Sequence, residues 1–281
     1  MKKKLFLILE IITFLLLSAL FGYLNASKFN LTDYEVTYLD IKDETVPESF
    51  IGKSIIFISD LEYGTFFDKT RLELFKRKIN NFKADVIIFG GDMFDREFVP
   101  ISEDVTLLTD LLSGLEADLG KFAIMGDFDQ ITDRRKALVS KILYDSNFEL
   151  LDGNPIQLHN NSSQQMNLIG INYSEDTTDL SGTYSNVQPE DYTITVIHGA
   201  AMADILPIKI SDLTLSGHAH HCQVNFPFLI EDSFTQTGGY STGKYKTNNT
   251  FLYVSRGIGT TIRDYRFFND PEILFITFKQ K

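Results

Sequence analysis

Short runs of apolar residues without polar alternation stand out in the first half of the chain, at residues 54–58, 86–89 and 122–125. Strands that are buried on both faces of a sheet have this pattern, because neither face meets water. The first two runs are rich in Ile and Val, which favours a strand over a helix. The three runs therefore predict strands in the centre of one sheet.

Between and after these runs, apolar residues recur at the spacing of an amphipathic helix. This spacing predicts helices at residues 68–82, 105–115 and 133–144. Strands that alternate with helices are typical of a parallel sheet covered by helices. The extended segment at residues 34–41 is predicted to add an edge strand.

From residue 148 onward, the pattern changes to short strands. They are predicted at residues 149–151, 156–159, 166–171, 193–197, 213–216, 251–254 and 273–278. Residues 174–191 are polar with little apolar period, which predicts a surface loop. We interpret the strands of this half as an additional sheet stacked on the first.

Residues 5–24 are mostly Leu, Ile and Phe, with Glu10 as the only charged residue among them. Twenty helical residues span about 30 Å, which is the thickness of the hydrocarbon core of a bilayer. The segment is therefore predicted to be a transmembrane helix. The lysines at positions 2–4 would remain in the cytoplasm and place the rest of the chain outside.

The same segment allows a second interpretation. Counted from residue 11, after Glu10, the apolar stretch is short enough for a cleaved signal peptide, and Ala26 completes a tolerable cleavage site. The chain would then be secreted. In both cases we expect residues 1–30 to lie outside the fold and residues 31–281 to form one domain.

The charge of the chain limits its partners. Residues 1–30 hold four of the 26 basic residues and one of the 38 acidic residues, which leaves 22 basic against 37 acidic residues in the predicted domain. Such a body repels phosphate backbones, so no nucleic acid partner is expected. The single cysteine, Cys222, forms no disulfide within the chain and supports no thiolate metal cluster.

Acidic residues follow each of the three buried strands of the first half. They are Asp60 and Glu62 after the first strand, Asp92 and Asp95 after the second, and Asp127 and Asp129 after the third. In open α/β sheets ligands bind at this edge, because the loops there converge while the strands hold them rigid. The three strands are thus expected to bring carboxylates together.

Histidines take the corresponding positions in the second half. His198 follows the predicted strand 193–197, and His218 and His220 follow the predicted strand 213–216. The single residue between His218 and His220 points both imidazoles to the same side of an extended segment. Imidazoles together with carboxylates suit divalent Mn, Fe or Zn. Each residue alone is more often structural, so the prediction of a metal site depends on their common placement.

The order of these motifs resembles the calcineurin-like metallophosphoesterase superfamily. The chain has DLE at 60–62, GDMFD at 91–95, GDFD at 126–129, His198 and GHAH at 217–220, where the family has DxH, GDxxD, GNHD or GNHE, H and GHxH. The second and fifth blocks match without change. Residues 253–276 also resemble small membrane-anchored bacterial members. The resemblance covers residues 35–278 and implies an α/β fold, a four-layer αββα sandwich of two mixed sheets.

The resemblance also implies ligands for two divalent metal ions. The first ion would be held by Asp60, Glu62, Asp92 and His220, and the second by Asp92, Asp127, His198 and His218. Asp95 and Asp129 would lie behind these ligands and orient them. In this family, a hydroxide that bridges the two metals attacks phosphorus in line.

Three positions depart from the family pattern. Glu62 stands where the family has His, Asp127 where it has Asn, and Phe128 where it has the His that contacts phosphate and protonates the leaving group. The carboxylates of Asp60, Glu62, Asp92 and Asp127 would neutralise two divalent ions, and a neutral cluster attracts an anionic phosphate less strongly. Oxygen-rich ligation favours Mn or Mg over Zn.

Several other polar residues are weaker candidates. Lys244, Arg256, Arg263 and Arg266 are basic residues of which one could contact a substrate phosphate, whereas His159, His221 and Cys222 are expected to be structural. Basic residues of this kind are more often surface or packing residues.

We therefore expect a metal-dependent phosphomonoesterase or phosphodiesterase, most suited to Mn, that is tethered to the membrane and acts outside the cytoplasm. Its tether makes a lipid-linked envelope phosphoester one candidate substrate. The alternative is a catalytically impaired metal-binding protein that keeps the fold and binds a ligand or protein without turnover. The loss of a proton donor at Phe128 would affect esters with poor leaving groups most.

Overall fold

A computed structural model describes residues 2–173, 180, 182–208, 210–219, 223–224, 238–261 and 263–281. His220, His221 and Cys222 lie outside the described residues, as does part of the loop predicted at 174–191. The chain begins with helix α1, Lys2–Leu24, which continues into a π-helical turn, Asn25–Phe29. The predicted apolar segment is therefore one helix.

The first sheet contains six strands in the order β1-β12-β2-β3-β4-β5. These strands are β1 (Glu35–Ile41), β2 (Ser54–Ile58), β3 (Val86–Phe89), β4 (Lys121–Ala123), β5 (Glu149–Leu150) and β12 (Glu272–Phe278). Strands β2 to β5 run parallel, whereas β12 is antiparallel to β2 and parallel to β1. The sheet is mixed, and β1 lies at its edge as predicted.

The second sheet also contains six strands, in the order β10-β11-β9-β8-β7-β6. These strands are β6 (Ile156–His159), β7 (Gln165–Ile171), β8 (Thr193–Ile197), β9 (Leu213–Ser216), β10 (Gly243–Lys246) and β11 (Phe251–Val254). Its four central strands run parallel, and the outer strands β6 and β10 are antiparallel to their neighbours.

The prediction that the second half forms only the second sheet was wrong for two strands. β5 continues the parallel series of the first sheet, because helix α4 (Asp133–Asp145) returns the chain beside β4. β12 inserts between β1 and β2, where Leu274 pairs with Phe57. Strand β10 was not predicted, because its polar sequence GKYK gives no apolar run.

Helices α2 (Lys69–Ile79), α3 (Ser102–Ser113) and α4 cover the outer face of the first sheet. The Asp68 carboxylate caps α2 by accepting a hydrogen bond from the Arg71 amide. Apolar residues of both sheets form the core between them, with Phe57 and Ile88 from one and Val196 and Leu215 from the other. Over the described residues, a 3-10 helix at Ala200–Asp204 packs on the outer face of the second sheet.

Strands β2, β3, β8 and β9 end at one edge of this sandwich, which we call the site edge. The Gly90 carbonyl after β3 lies 2.8 Å from Nδ1 of His198 after β8, so the ends of the two sheets meet there. The predicted candidate residues of both halves follow these strand ends, and the fold therefore brings them to one place.

Candidate metal centre

Four candidate ligands lie in an unusual backbone conformation. Asp60, Glu62, Asp92 and His218 have φ angles of 54°, 47°, 58° and 60°, in the left-handed region that non-glycine residues seldom adopt. Such a conformation costs about 1–3 kcal/mol per residue and is concentrated at functional sites. This backbone conformation turns the four polar side chains toward one point, and the surrounding structure must offset its cost.

Two motif glycines allow the loops to approach each other closely. A Cβ atom at Gly126 would lie 2.0 Å from Oδ1 of Asp92, and one at Gly217 would lie 1.9 Å from the Ser59 hydroxyl and 2.7 Å from Oδ2 of Asp60. A side chain at either glycine would clash sterically at these distances. The glycines before Asp127 and His218 are thus required by packing at the site.

Two groups of potential ligand atoms form at this point. Asp60, Glu62 and Asp92 make the carboxylate cluster, and Asp92, Asp127, His198 and His218 make the histidine cluster. The ligand atoms within each cluster all lie within 4.8 Å of one another. Asp92 belongs to both clusters and connects them. Six of the seven predicted ligands are therefore brought together, and the seventh, His220, lies outside the described residues.

Hydrogen bonds orient His198 toward the carboxylates. Its Nδ1 lies 2.8 Å from the Gly90 carbonyl, which can only accept, so Nδ1 carries the proton. Nε2 then faces Oδ2 of Asp92 at 3.1 Å and Oδ1 of Asp127 at 3.2 Å. Oδ1 of Asp127 also lies 3.1 Å from Nδ1 of His218. The ring nitrogen that a metal would need points into the cluster.

Asp129 fixes the loops behind the ligands. Its carboxylate accepts hydrogen bonds from the backbone amides of Asp92 at 2.8 Å, Met93 at 2.9 Å and Gly126 at 3.1 Å. It thus ties the loop after β3 to the loop after β4. The Asp95 carboxylate accepts instead from the Glu97 amide at 3.0 Å and orders its own loop.

Burial and like charges act on the carboxylates. Burial raises the pKa of Glu62 well above its usual range, and the neighbouring charges of Asp92 and Asp60 raise it further. Burial also raises the pKa of Asp92, to about 7, although His198 opposes the rise. Burial would raise the pKa of Asp127 too, but hydrogen bonds with His198 and His218 lower it.

A divalent cation fits this donor set. Asp60, Glu62 and Asp92 are completely buried, and three carboxylates in one place disfavour one another's charged form. A cation among them would remove that repulsion. The site contains oxygen donors on one side and mixed oxygen and nitrogen donors on the other, which suits hard or borderline divalent ions.

Arg266 supports the site from behind and is completely buried. Its guanidinium donates to the carbonyls of Gly259 at 2.6 Å, Arg256 at 2.9 Å, Asn269 at 3.0 Å and Gly257 at 3.2 Å. Burial lowers its pKa to about 10, and the charge of Glu62 opposes that shift. Arg266 therefore fixes the loop 256–259 and places a positive charge near the carboxylate cluster.

That loop in turn holds the end of β2. The amides of Ile258 and Gly259 donate to the carbonyls of Ser59 at 3.0 Å and Asp60 at 2.7 Å. Arg266 was predicted only as one of several candidates for binding phosphate, and this supporting role was not predicted. The glycines at 257 and 259 are the only signal in the sequence, since they mark a close approach of backbones.

The other basic candidates have different positions. Arg256 pairs with Glu35 at 2.7 Å and with Glu272 at 3.1 Å, so its charge is matched within the protein. Lys244 and Arg263 are exposed. His159 is exposed on the edge strand β6, away from the site edge.

Two aromatic residues line the centre. Phe128 is 8% exposed, and the Arg96 guanidinium lies 5.8 Å from its ring centroid. The Tyr173 ring lies 6.2 Å from His198 and 6.0 Å from His218, between centroids. Neither Tyr173 nor Arg96 was predicted from the sequence to lie at the site. Tyr173 follows the buried strand β7, so its position at a strand end was the available signal.

The chain is similar to known proteins in sequence and in fold. A family model described as calcineurin-like phosphoesterase matches residues 53–222. The uncharacterized metallophosphoesterase YkuE of Bacillus subtilis is 30% identical over 87% of this chain and 85% of its own length. The UDP-2,3-diacylglucosamine pyrophosphatase LpxG of Chlamydia muridarum is 26% identical over 82% of this chain and 86% of its own.

Among solved structures, the phosphopantetheinyl hydrolase PptH of Mycobacterium tuberculosis aligns with a TM-score of 0.43 and 10% identity. The alignment covers 74% of this chain and 91% of that structure.

Proposed function

This chain belongs to the calcineurin-like phosphoesterase family, and from that premise we propose that it is a metal-dependent hydrolase of phosphoric monoesters or diesters with a two-ion centre. The observation that carries the proposal is the sharing of Asp92 by two donor clusters. A shared carboxylate between two sets of ligands suits a pair of ions placed side by side.

We assign the carboxylate cluster of Asp60, Glu62 and Asp92 to one ion, with His220 as a further ligand. The histidine cluster of Asp92, Asp127, His198 and His218 is assigned to the other. Divalent ions supply Lewis acidity, which withdraws charge from phosphoryl oxygens and lowers the pKa of water. Manganese is our first choice of metal, because carboxylates and imidazoles together suit it.

The residues of the chain perform the remaining tasks. The Gly90 carbonyl holds the proton of His198 on Nδ1 and leaves Nε2 available for a metal. Asp129 holds the backbone of Asp92 in place through its amide. Asp60, Glu62 and Asp92 are completely buried, and the exclusion of water strengthens their electrostatic effect.

Phe128 limits the reaction. Its side chain carries no acidic proton, so it cannot protonate a leaving group as a histidine would. General acid catalysis is worth about 10²- to 10⁴-fold where it operates. We expect the enzyme to act best on esters whose alcohols leave without protonation.

This same observation favours a second candidate function. A protein with the clusters described above and Phe128 at the position of the proton donor is also suited to bind metal and ligand without turnover. Such a protein would act as a binding module, and the metal would order the loops at the site edge.

For the chain as a whole, we propose an N-terminal anchor at residues 1–30 and a phosphoesterase domain at residues 31–281 outside the cytoplasm. The anchor is supported by helix α1, whose apolar side chains are exposed. The phosphoester substrate class is supported by the family.

The experiment uses the full chain in detergent micelles with Mn²⁺ and an activated aryl phosphodiester. We expect turnover that a chelator abolishes and that Asp92→Asn lowers by about 10³-fold, which corresponds to about 4 kcal/mol. The matched control is Asp110→Asn at an exposed position of helix α3, which should leave the rate unchanged. Turnover that survives both the chelator and Asp92→Asn would contradict the proposal. Metal binding without turnover would support the binding module.

A further inference from the structure

The tether enters the domain at the site edge. β1 is parallel to β12, and β12 is antiparallel to β2, so β1 begins where β2 ends. In the register of the sheet, Glu35 at the start of β1 pairs with Glu272, and Leu274 pairs with Phe57 near the end of β2. The chain that connects α1 to β1 therefore lies on the same edge as Asp60.

The end of the apolar helix is also built into that edge. The Ala26 carbonyl accepts a hydrogen bond from the Arg266 amide at 2.9 Å, and Ala26 is 8% exposed. A Cβ atom on Gly22, in the last turn of α1, would lie 4.0 Å from the Phe267 ring, which is ordinary contact distance. The loop around Phe267 thus lies beside the end of the membrane-spanning segment.

Only one residue separates this helix end from the loop that holds the carboxylate cluster. Arg266 binds Ala26 through its backbone and binds Gly257 and Gly259 through its guanidinium. Gly259 binds the Asp60 carbonyl directly. The metal centre is therefore close to the point where the chain leaves the bilayer, and it cannot move far from that point while these bonds persist.

The surface around the helix end has the character of a membrane interface. The segment Lys3–Lys28 is long and apolar enough to cross a membrane, and its most apolar stretch is not buried by the domain. Lys28 is exposed at the end of this segment, and Phe268, which follows Phe267 in the chain, is 58% exposed. Aromatic and basic side chains are the residues that concentrate at the level of lipid headgroups.

We propose that this arrangement holds the metal centre at the headgroup layer of the bilayer, and that its substrate is the phosphoester of an amphiphilic lipid. The headgroup layer is about 5–8 Å deep on each side of the hydrocarbon core. The inference rests on the proposed hydrolase function. In the reaction, the oxygen of water bonds to phosphorus and one proton of that water passes to solvent. The bond from phosphorus to the ester oxygen breaks, and that oxygen leaves as an anion that takes up a proton from solvent to give the alcohol.

The first test compares two substrates with the same leaving group, a diacylglycerol p-nitrophenyl phosphodiester in vesicles and soluble bis(p-nitrophenyl) phosphate. The full chain is reconstituted in the vesicles with Mn²⁺. In the variant, an 18-residue polar helical segment between Leu24 and Asn25 lifts the domain by about 27 Å and leaves Ala26 on Arg266. We expect at least a tenfold loss for the lipid substrate and no loss for the soluble one. The control carries the same segment before Lys2.

Equal rates for the lifted and parent proteins on the lipid substrate would overturn the inference, as would a parent protein that hydrolyses only the soluble ester. If the parent protein hydrolyses neither substrate, the proposed function fails and the lipid substrate fails with it. Failure of the hydrolase function is distinguishable from failure of the membrane placement, because a fluorescence measurement tests the position of the site edge at the bilayer without turnover.

The second test needs no turnover. The chain contains no Trp, so Phe268→Trp and Asn248→Trp each introduce a single tryptophan, which can be excited selectively over the tyrosines. Asn248 is exposed in the turn after β10, at the opposite edge of the sandwich. In vesicles of brominated phospholipid, we expect at least half of the emission of Phe268→Trp to be quenched and that of Asn248→Trp to be unaffected. Equal quenching of the two, or none at position 268, would overturn the placement.

Discussion

The two donor clusters of the candidate metal centre share Asp92 but differ in how their charges are balanced. The three described members of the carboxylate cluster are all acidic, and the positive charge of Arg266 acts from behind the backbone. In the histidine cluster, His198 and His218 contact Asp127 directly. The histidine cluster can therefore balance its charge with its own side chains, whereas the carboxylate cluster depends on a neighbouring arginine and on a cation.

This difference indicates which cluster a metal stabilises most. Three buried carboxylates repel one another, so a cation that binds among them gains both attraction and relief of repulsion. Imidazoles that already bond to Asp127 must exchange that contact for the metal. We therefore expect metal to contribute more to the stability of the carboxylate cluster.

The largest expected effect comes from Arg266→Leu, which removes the buried charge and leaves the carbonyls of the loop 256–259 without their donor. Removal of one partner of a buried charged network costs about 3–5 kcal/mol. At about 2–4 °C per kcal/mol for a domain of this size, the Tm should fall by roughly 6–20 °C. Thermal unfolding of the full chain in micelles with a chelator measures it.

Arg263→Leu is the matched control, since Arg263 is exposed and close in the chain. It should change the Tm by about 2 °C or less. A similar loss for both variants would mean that Arg266 does not support the carboxylate cluster.

The second prediction compares the two clusters by removing one negative charge from each and measuring the Tm of the two variants. Asp127→Asn removes the charged partner of His198 and His218, and the loss of such a hydrogen bond costs about 1.5–3 kcal/mol. The Tm of the chelated protein should fall by roughly 3–12 °C. Glu62→Gln replaces a carboxylate whose pKa burial raises, so the same Tm should change little.

Addition of Mn²⁺ should reverse this order. Glu62→Gln loses a ligand from the cluster that gains most from the cation, so its metal-induced rise in Tm should be smaller than that of Asp127→Asn. Ligand at 100 times its Kd stabilises by about 2.7 kcal/mol, which sets the scale of the rise in the parent protein. Equal rises in both variants would end the distinction between the clusters.

A third prediction concerns the departures from the family pattern. Glu62→His, Asp127→Asn and Phe128→His together should raise kcat for an alkyl phosphodiester by at least tenfold, because they remove negative charge and supply a proton donor. The rate for an activated aryl ester should rise less. Steady-state kinetics with both esters measures the difference, and an unchanged rate with either ester would show that the charge of the cluster does not limit turnover.

The smallest expected effect is at Arg96, whose guanidinium lies over the Phe128 ring and is exposed. Exposed charges contribute up to about 1 kcal/mol, so Arg96→Ala should raise KM for an anionic ester by two- to fivefold and leave kcat unchanged. Arg134→Ala, an exposed position on α4, is the control. An unchanged KM would mean that Arg96 does not reach the substrate.

The sequence predicted most of the fold because strand and helix periods are local signals. The buried runs at β2, β3, β8 and β9 are continuous and apolar, and they place the acidic and histidine residues at their ends. The pairing of β12 between β1 and β2 is a long-range contact that no local pattern contains. The two-sheet division was therefore predicted for most strands but not for β5 and β12.

The candidate site was predictable to the same extent. The convergence of Asp60, Asp92 and His198 followed from strand ends, but the left-handed backbone of Asp60 and His218 did not, since nothing in their neighbours requires it. The role of Arg266 depends on four carbonyls that come together only in the folded chain. Such contacts are properties of tertiary structure, and a single sequence does not display them.

The position of β12 has a consequence for biosynthesis. β1 pairs in the described structure with β12, and residues 35 and 272 are 237 positions apart. At about 5–20 residues per second, roughly 10–50 s pass between translation of the two strands. During that interval the N-terminal apolar helix has already been synthesised, and β1 has no β12 to pair with. A nascent chain that stops before β12 would leave β1 and one side of β2 unpaired. Quality-control proteases and chaperones recognise such unpaired strand edges.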